Sequence, residues 1–145
     1  MADKLSQLKT ITQNLGYEVQ EHTIEEGSEI DALEISIEDY EEKIILSVYP
    51  DDELDGSYFF QFYSEYNFNT YDYDTLKLLT QINETNQKLP LGNFSLGVNT
   101  GVIFFKHIWA VDKEMKPREE HFVDLLDMVE YAITESKQVL LDVRN

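Results

Sequence analysis

The sequence predicts an α+β domain in which an antiparallel β-sheet carries helices on one face. Three observations carry that prediction. Apolar residues recur every three or four positions in three separate segments. Between those segments the period drops to two, as in strands with one buried face. The period-two segments follow one another through short, turn-rich connections, which suit a meander and not a parallel nucleotide-binding fold. The expected order is α-β-β-β(-β)-α-β-β-α, in a single domain over residues 1–145.

In residues 3–15, Leu5, Leu8, Ile11, Thr12 and Leu15 make one apolar stripe on a short helix, with Gly16 as its C-terminal cap. Leu33, Ile35 and Ile37 then alternate with Glu34, Ser36 and Glu38, a strand with one wet face. A weaker strand, Tyr17–Ile24, precedes it. Ile44–Tyr49 and Tyr58–Phe68 continue the sheet on either side of the turn-rich Pro50–Gly56. Asp74 is placed to cap a helix running through Lys88, with Leu78, Leu79 and Ile82 inward and Pro90 ending it. Asn93–Val98 and Val102–Val111 form a hairpin whose loop, Asn99-Thr100-Gly101, puts Gly where a positive φ is wanted. The last helix starts near Pro117 and aligns Phe122, Leu125, Leu126, Val129, Ile133 and Leu140 on one face.

The 145 residues include 29 Asp and Glu against 11 Lys and Arg, a formal charge of −18. With 42% hydrophobic and 12% aromatic residues the chain is too apolar for a disordered acidic tail, so the acids coat a folded domain. A domain of this length buries roughly 70% of its unfolded surface and needs no staple. Such a charge argues against nucleic acid, which calls for clustered Lys and Arg, and against anionic membrane surfaces. Most of it lies between Glu18 and Asp55, where fifteen acids face one base, Lys43, for a net −14. The N-terminus has no basic segment followed by an apolar run, and the longest apolar runs fall far short of the roughly 20 residues that span a membrane. A cytoplasmic location is the expectation. Cys is absent, which removes disulfides, thiol catalysis and thiolate metal sites.

No residue set for catalysis or for a cofactor emerges, and the chain is expected to be no enzyme. There is no Gly-x-Ser-x-Gly elbow, and the three His lie far apart. The glycines of Leu91–Gly97 sit on a hairpin, not before a helix, so they form no phosphate loop. Asp51-Asp52-Glu53-Leu54-Asp55-Gly56 begins like a calcium loop, but its twelfth position is Phe62 where a bidentate Glu is required. His121 and Asp124 share a helix face, yet the residue three before His121 is Arg118, not the Glu of a di-iron helix. No metal is expected. Among 29 carboxylates some pair always has glycosidase spacing, so acid pairs decide nothing.

The aromatic strand says more. Tyr58, Phe60, Phe62, Tyr66 and Phe68 share its core face, while Phe59 and Tyr63 lie on the other beside Gln61 and Glu65. Phe59 and Tyr63 are either ordinary cross-strand pairs on an exposed sheet face or candidates for a partner surface. Val102–Val111 is apolar on both faces: Phe104, Ile108 and Ala110 on one, Ile103, Phe105, His107, Trp109 and Val111 on the other. One helix buries one face; a subunit partner is the simplest cover for the second. Ile103, Phe105, His107 and Trp109 are the candidate contacts of a homodimer.

The stretch Asn86-Gln87-Lys88-Leu89-Pro90-Leu91-Gly92-Asn93-Phe94-Ser95-Leu96, followed by Gly101-Val102-Ile103-Phe104-Phe105-Lys106, resembles the YbjN-like family. The resemblance implies the type III secretion chaperone-like fold, with the same element order. The chaperones of that fold are small, acidic, cytosolic homodimers. It also implies a non-enzymatic protein-binding or regulatory module whose client docks on apolar patches, and it transfers no catalytic residue. The acidic first half departs from the pattern and supports an alternative: an acidic inhibitor, an immunity protein or nucleic-acid mimic, steered toward a basic partner.

Overall fold

A computed structural model of the chain describes residues 4–23, 30–49 and 54–144. The elements run α1 (Lys4–Asn14), β1 (Val19–His22), β2 (Ala32–Ser36), β3 (Lys43–Tyr49), β4 (Ser57–Asn69), α2 (Thr75–Lys88), β5 (Asn93–Gly97), β6 (Val102–Asp112) and α3 (Glu119–Leu141), closed by a 3-10 turn at Asp142–Arg144. All six strands pair antiparallel in the order β1-β2-β3-β4-β6-β5. The fold is thus α+β, with one six-stranded antiparallel sheet and three helices among the described residues.

The period-two pattern places one buried row against the helices. Leu33, Leu46, Phe62 and His107 are register neighbours across β2, β3, β4 and β6. Phe94 and Phe105 extend the same face into β5 and β6. Onto it pack Leu5, Leu8 and Ile11 of α1, Leu78 and Ile82 of α2, and Phe122, Leu126, Val129 and Ile133 of α3, all buried. Phe122 stacks on Phe62 and on Trp109, with ring centroids 6.3 and 6.1 Å apart. The Tyr66 hydroxyl donates to the Ile133 carbonyl at 2.7 Å, tying the centre of β4 to the middle of α3.

The helix ends follow local rules. Gly16 takes φ 98° directly after α1, which a side chain would resist. Asp74 caps α2 by accepting the Lys77 N–H at 3.1 Å. Two residues of the expected stripes stay outside: Leu15 lies past the last turn of α1 and Leu79 faces solvent on α2, both exposed. α2 buries only a narrow strip against β5 and α3, so Leu78 and Ile82 suffice. The hairpin strand ends at Gly97, one residue earlier than expected, and leaves Val98 exposed in the turn. Of the expected strand Tyr17–Ile24 the residues Val19–His22 are extended; Ile24 lies outside the described residues, as do Pro50–Glu53 of the turn and of the broken calcium loop.

Candidate functional site

The three described helices pack on one face of the sheet, and among the described residues no helix covers the other. Its residues follow from the strand register. Tyr49, Phe59 and Ala110 form one row across β3, β4 and β6. Ser47, Gln61 and Ile108 form the next. Ile45, Tyr63, Lys106 and Asn93 form a third, and Glu65, Phe104 and Ser95 a fourth. The aromatic rings touch: Tyr63 lies 5.6 Å from Phe104, and Tyr49 meets Phe59 edge-on at 6.3 Å. Phe59, Tyr63, Phe104 and Ile45 are half-buried, while Tyr49, Ile108 and Ala110 are exposed. An antiparallel sheet can leave one face wet, but the wet face then reads polar. This one is aromatic through its middle.

Relief on the face is uneven. Asn93 and Ser95 of β5 are small beside Phe104 and Ile108 of β6, and a hollow of about 570 Å3 lies there, with Lys106 on its rim. Tyr49, Phe59 and Tyr63 lie on the neighbouring strands. Electrically the face is close to balanced: Lys43 and Lys106 stand against Glu34, Glu65 and Asp112. Glu34 lies 3.5 Å from both Lys43 Nζ and His22 Nε2. The Tyr63 hydroxyl donates to Glu65 Oε1 at 2.6 Å, and burial together with that carboxylate pushes the phenol up to about 12.

The candidate residues divide between the two sides of the sheet. Phe59 and Tyr63 are on the open face, at its centre. Ile103, Phe105 and Trp109 are not: they are buried in the chain's own core at 0, 1 and 8% exposure, so the assignment of a subunit contact to them is corrected. Phe94 meets Phe105 at 5.2 Å and Phe122 covers Trp109, which leaves no surface for another chain. His107 is on the same inward row, half-buried beside Phe62, and burial lowers its pKa. The residues of β6 that face outward are Phe104, Ile108 and Ala110. The double apolarity of β6 was visible in the sequence; which face the helix takes depends on register with β4, and no local pattern carries that.

A second concavity lies at the opposite end of the molecule. A cleft of about 740 Å3 opens between the end of α1, the end of β2 and the middle of α3. Leu15, Ile37 and Val123 contribute its apolar wall, Tyr17 and Tyr40 its rings, and Glu18, Glu38, Asp127 and Glu130 its charge, with no basic residue in the lining. The Tyr17 hydroxyl donates to Glu130 Oε2, and burial, then that bond, raises its pKa. Such a lining attracts cations and repels anions.

Among the described residues no cluster of three or more His, Asp or Glu could hold a metal, and no helix is long and apolar enough to cross a membrane. No model of a known protein family and no curated protein matches the chain.

Proposed function

We propose that the chain is a non-catalytic, cytoplasmic protein-binding module with a secretion-chaperone-like arrangement, and that the open sheet face is its contact surface. One observation carries this reading: Tyr49, Phe59, Tyr63, Phe104, Ile108 and Ala110 share the side of the sheet that no described helix covers, with Gln61 and Lys106 set among them. On monomers, large patches of that kind are commonly contact sites, and aromatic residues are enriched in such cores. The element order and the one-sided placement of the helices support the likeness to YbjN-like and secretion-chaperone folds.

The test places a photo-crosslinking residue at Ile108, and at Tyr131 on the exposed side of α3 as a control. A polypeptide should be captured in cells from position 108 only. Its affinity for the purified chain should then fall about tenfold or more with Ala110→Glu, an exposed site where the fold tolerates the change. Equal capture from both positions, or an affinity that Ala110→Glu leaves unchanged, removes the face from the reading.

The acid-lined cleft favours a second reading, an acidic inhibitor that engages a basic protein. It requires association that slows steeply with salt and that Asp127→Asn with Glu130→Gln impairs. Binding that strengthens with salt would exclude it.

A further inference from the structure

We infer that α2 is a strap over the β5 edge of the sheet, one that opens as a unit while the rest of the fold stays packed, with the side chain of Asn86 as its latch. Closed, the strap seals β5 against a further strand; open, it leaves that edge free. The inference is independent of what the uncovered sheet face binds.

The strap is weakly held. α2 buries three of its fourteen residues, Leu78, Ile82 and Thr85, and one of these is polar. α3 buries eight, among them Phe122, Leu126 and Ile133. Stabilisation follows the apolar area removed from water, so α2 is docked far less firmly than α3. Leu76 and Leu79 stand in solvent, at 76 and 46% exposure. Thr75, Thr80, Asn83, Thr85 and Asn86 are weak helix formers, and a helix of this length is marginal in water without packing. Once undocked, α2 therefore loses its helix as well, and its amides lose protection together.

Both ends of the strap have anchors that can stay in place. Before α2, the buried Tyr73 stacks on Phe68 at 6.2 Å, and its hydroxyl donates to the Leu141 carbonyl at 3.0 Å. After it, Leu89 is already extended ahead of Pro90, and Gly92 holds φ 66° against the Phe105 ring. The segment between these anchors carries its own start and stop, the cap at Asp74 and the break at Pro90.

The latch is polar. Asn86 bonds both outward backbone groups of Phe94, at 2.7 and 3.0 Å. Among the described residues these are the hydrogen bonds that join α2 to the sheet. They stand where a neighbouring strand would bond, and they break when the helix lifts. β5 itself remains paired with β6 from Asn93 to Gly97. The Phe94 N–H and carbonyl are then free on an intact edge, the position from which a sheet accepts another strand.

Amide hydrogen exchange of the full chain, followed residue by residue by NMR at rising sub-denaturing urea, tests this. The amides of Ile82, Thr85 and Phe94 should share one urea dependence. Corrected for intrinsic rates, they should exchange about tenfold or more faster than those of Phe60 and Phe62 at the centre of the sheet. Ile35→Val, in β2 on the far side of the sheet, weakens the body of the fold and not the strap. It should speed Phe60 and Phe62 roughly two- to tenfold and leave the α2 amides unmoved. Asn86→Ala should speed Ile82 and Thr85 about fivefold or more, whereas a bond of local importance would move Phe94 alone. The inference is overturned if Ile82 and Thr85 exchange no faster than Phe62 or share no urea dependence. It is equally overturned if Ile35→Val speeds both groups alike, or if Asn86→Ala leaves Ile82 and Thr85 unmoved.

Discussion

The side-chain amide of Asn86 closes both outward backbone groups of Phe94: Oδ1 accepts the Phe94 N–H at 2.7 Å and Nδ2 donates to the Phe94 carbonyl at 3.0 Å. β5 is an edge strand, and at this residue α2 does the work of a further strand. An unpaired edge is a template for another chain, so the amide also blocks edge-on addition there. Gly92 prepares the approach, with φ 66° and with the Phe105 ring where a Cβ would stand.

Asn86→Ala should accordingly cost about 1–3 kcal/mol, since it leaves a donor and an acceptor of a half-buried strand without partners. Urea unfolding measures it. A loss no larger than that of an exposed helix substitution such as Asn83→Ala would show that water replaces the amide without penalty.

The Glu42 carboxylate, with no solvent access, is held from two elements: Oε1 by Lys137 Nζ at 2.8 Å and Oε2 by the Asn67 N–H at 3.1 Å. The register between β4 and β6 shifts between Glu65 and Asn69, and Glu42 satisfies a backbone donor within that irregularity. Lys137→Met should cost about 3 kcal/mol, because it strands a buried charge. Glu42→Gln keeps an acceptor for Asn67 and should cost less. The double variant should be more stable than the sum of the two losses predicts. Additive losses in urea unfolding would mean that the two side chains are not coupled.

His107 makes a pH dependence. Burial holds its pKa below the ordinary histidine value, so the unfolded chain takes up the proton first as pH falls. The stability contributed by the neutral ring is whole above about pH 6.5 and is lost as pH falls toward the folded-state value. His107→Gln should flatten the drop in urea midpoint between neutral and mildly acidic pH. An unchanged slope in that variant would assign the drop to other groups.

Salt should stabilise the fold. Two acids between Glu18 and Asp55 are partnered from outside the stretch, Glu21 by Lys9 at 2.7 Å and Glu42 by Lys137, so one base among fifteen acids understates their pairing. The part-exposed Lys9–Glu21 pair contributes only about 0–1 kcal/mol, however, Glu42–Lys137 is a single buried pair, and the net charge remains −18. Raising salt from about 0.1 M to about 1 M shortens the Debye length from about 10 Å to about 3 Å and should raise the urea midpoint. A falling midpoint would show that the pairs outweigh the repulsion.

Local pattern was enough for the elements. The alternation of Leu33, Ile35 and Ile37, the cap at Asp74, and the left-handed backbone at Gly16 and Gly101 depend on neighbours within a turn or a strand, and sequence reading places each of them. Leu79 escaped because helical spacing marks a stripe without saying how wide a strip the neighbouring elements will cover.

What the sequence alone determined is an acidic α+β chain with a period-two sheet and a strand, β6, apolar on both sides. What only the tertiary structure decided is which side of that strand is inside. Phe60 pairs with Trp109 and Phe59 with Ala110, and Phe122 of α3 stacks on Trp109. The helix therefore buries Ile103, Phe105 and Trp109, and Phe104, Ile108 and Ala110 go to the open face. The ion pair of Glu42 with Lys137, 95 residues apart, belongs to the same class. Both are set by contacts between distant segments, where burial is gained once for the whole sheet, and no window of sequence contains both partners.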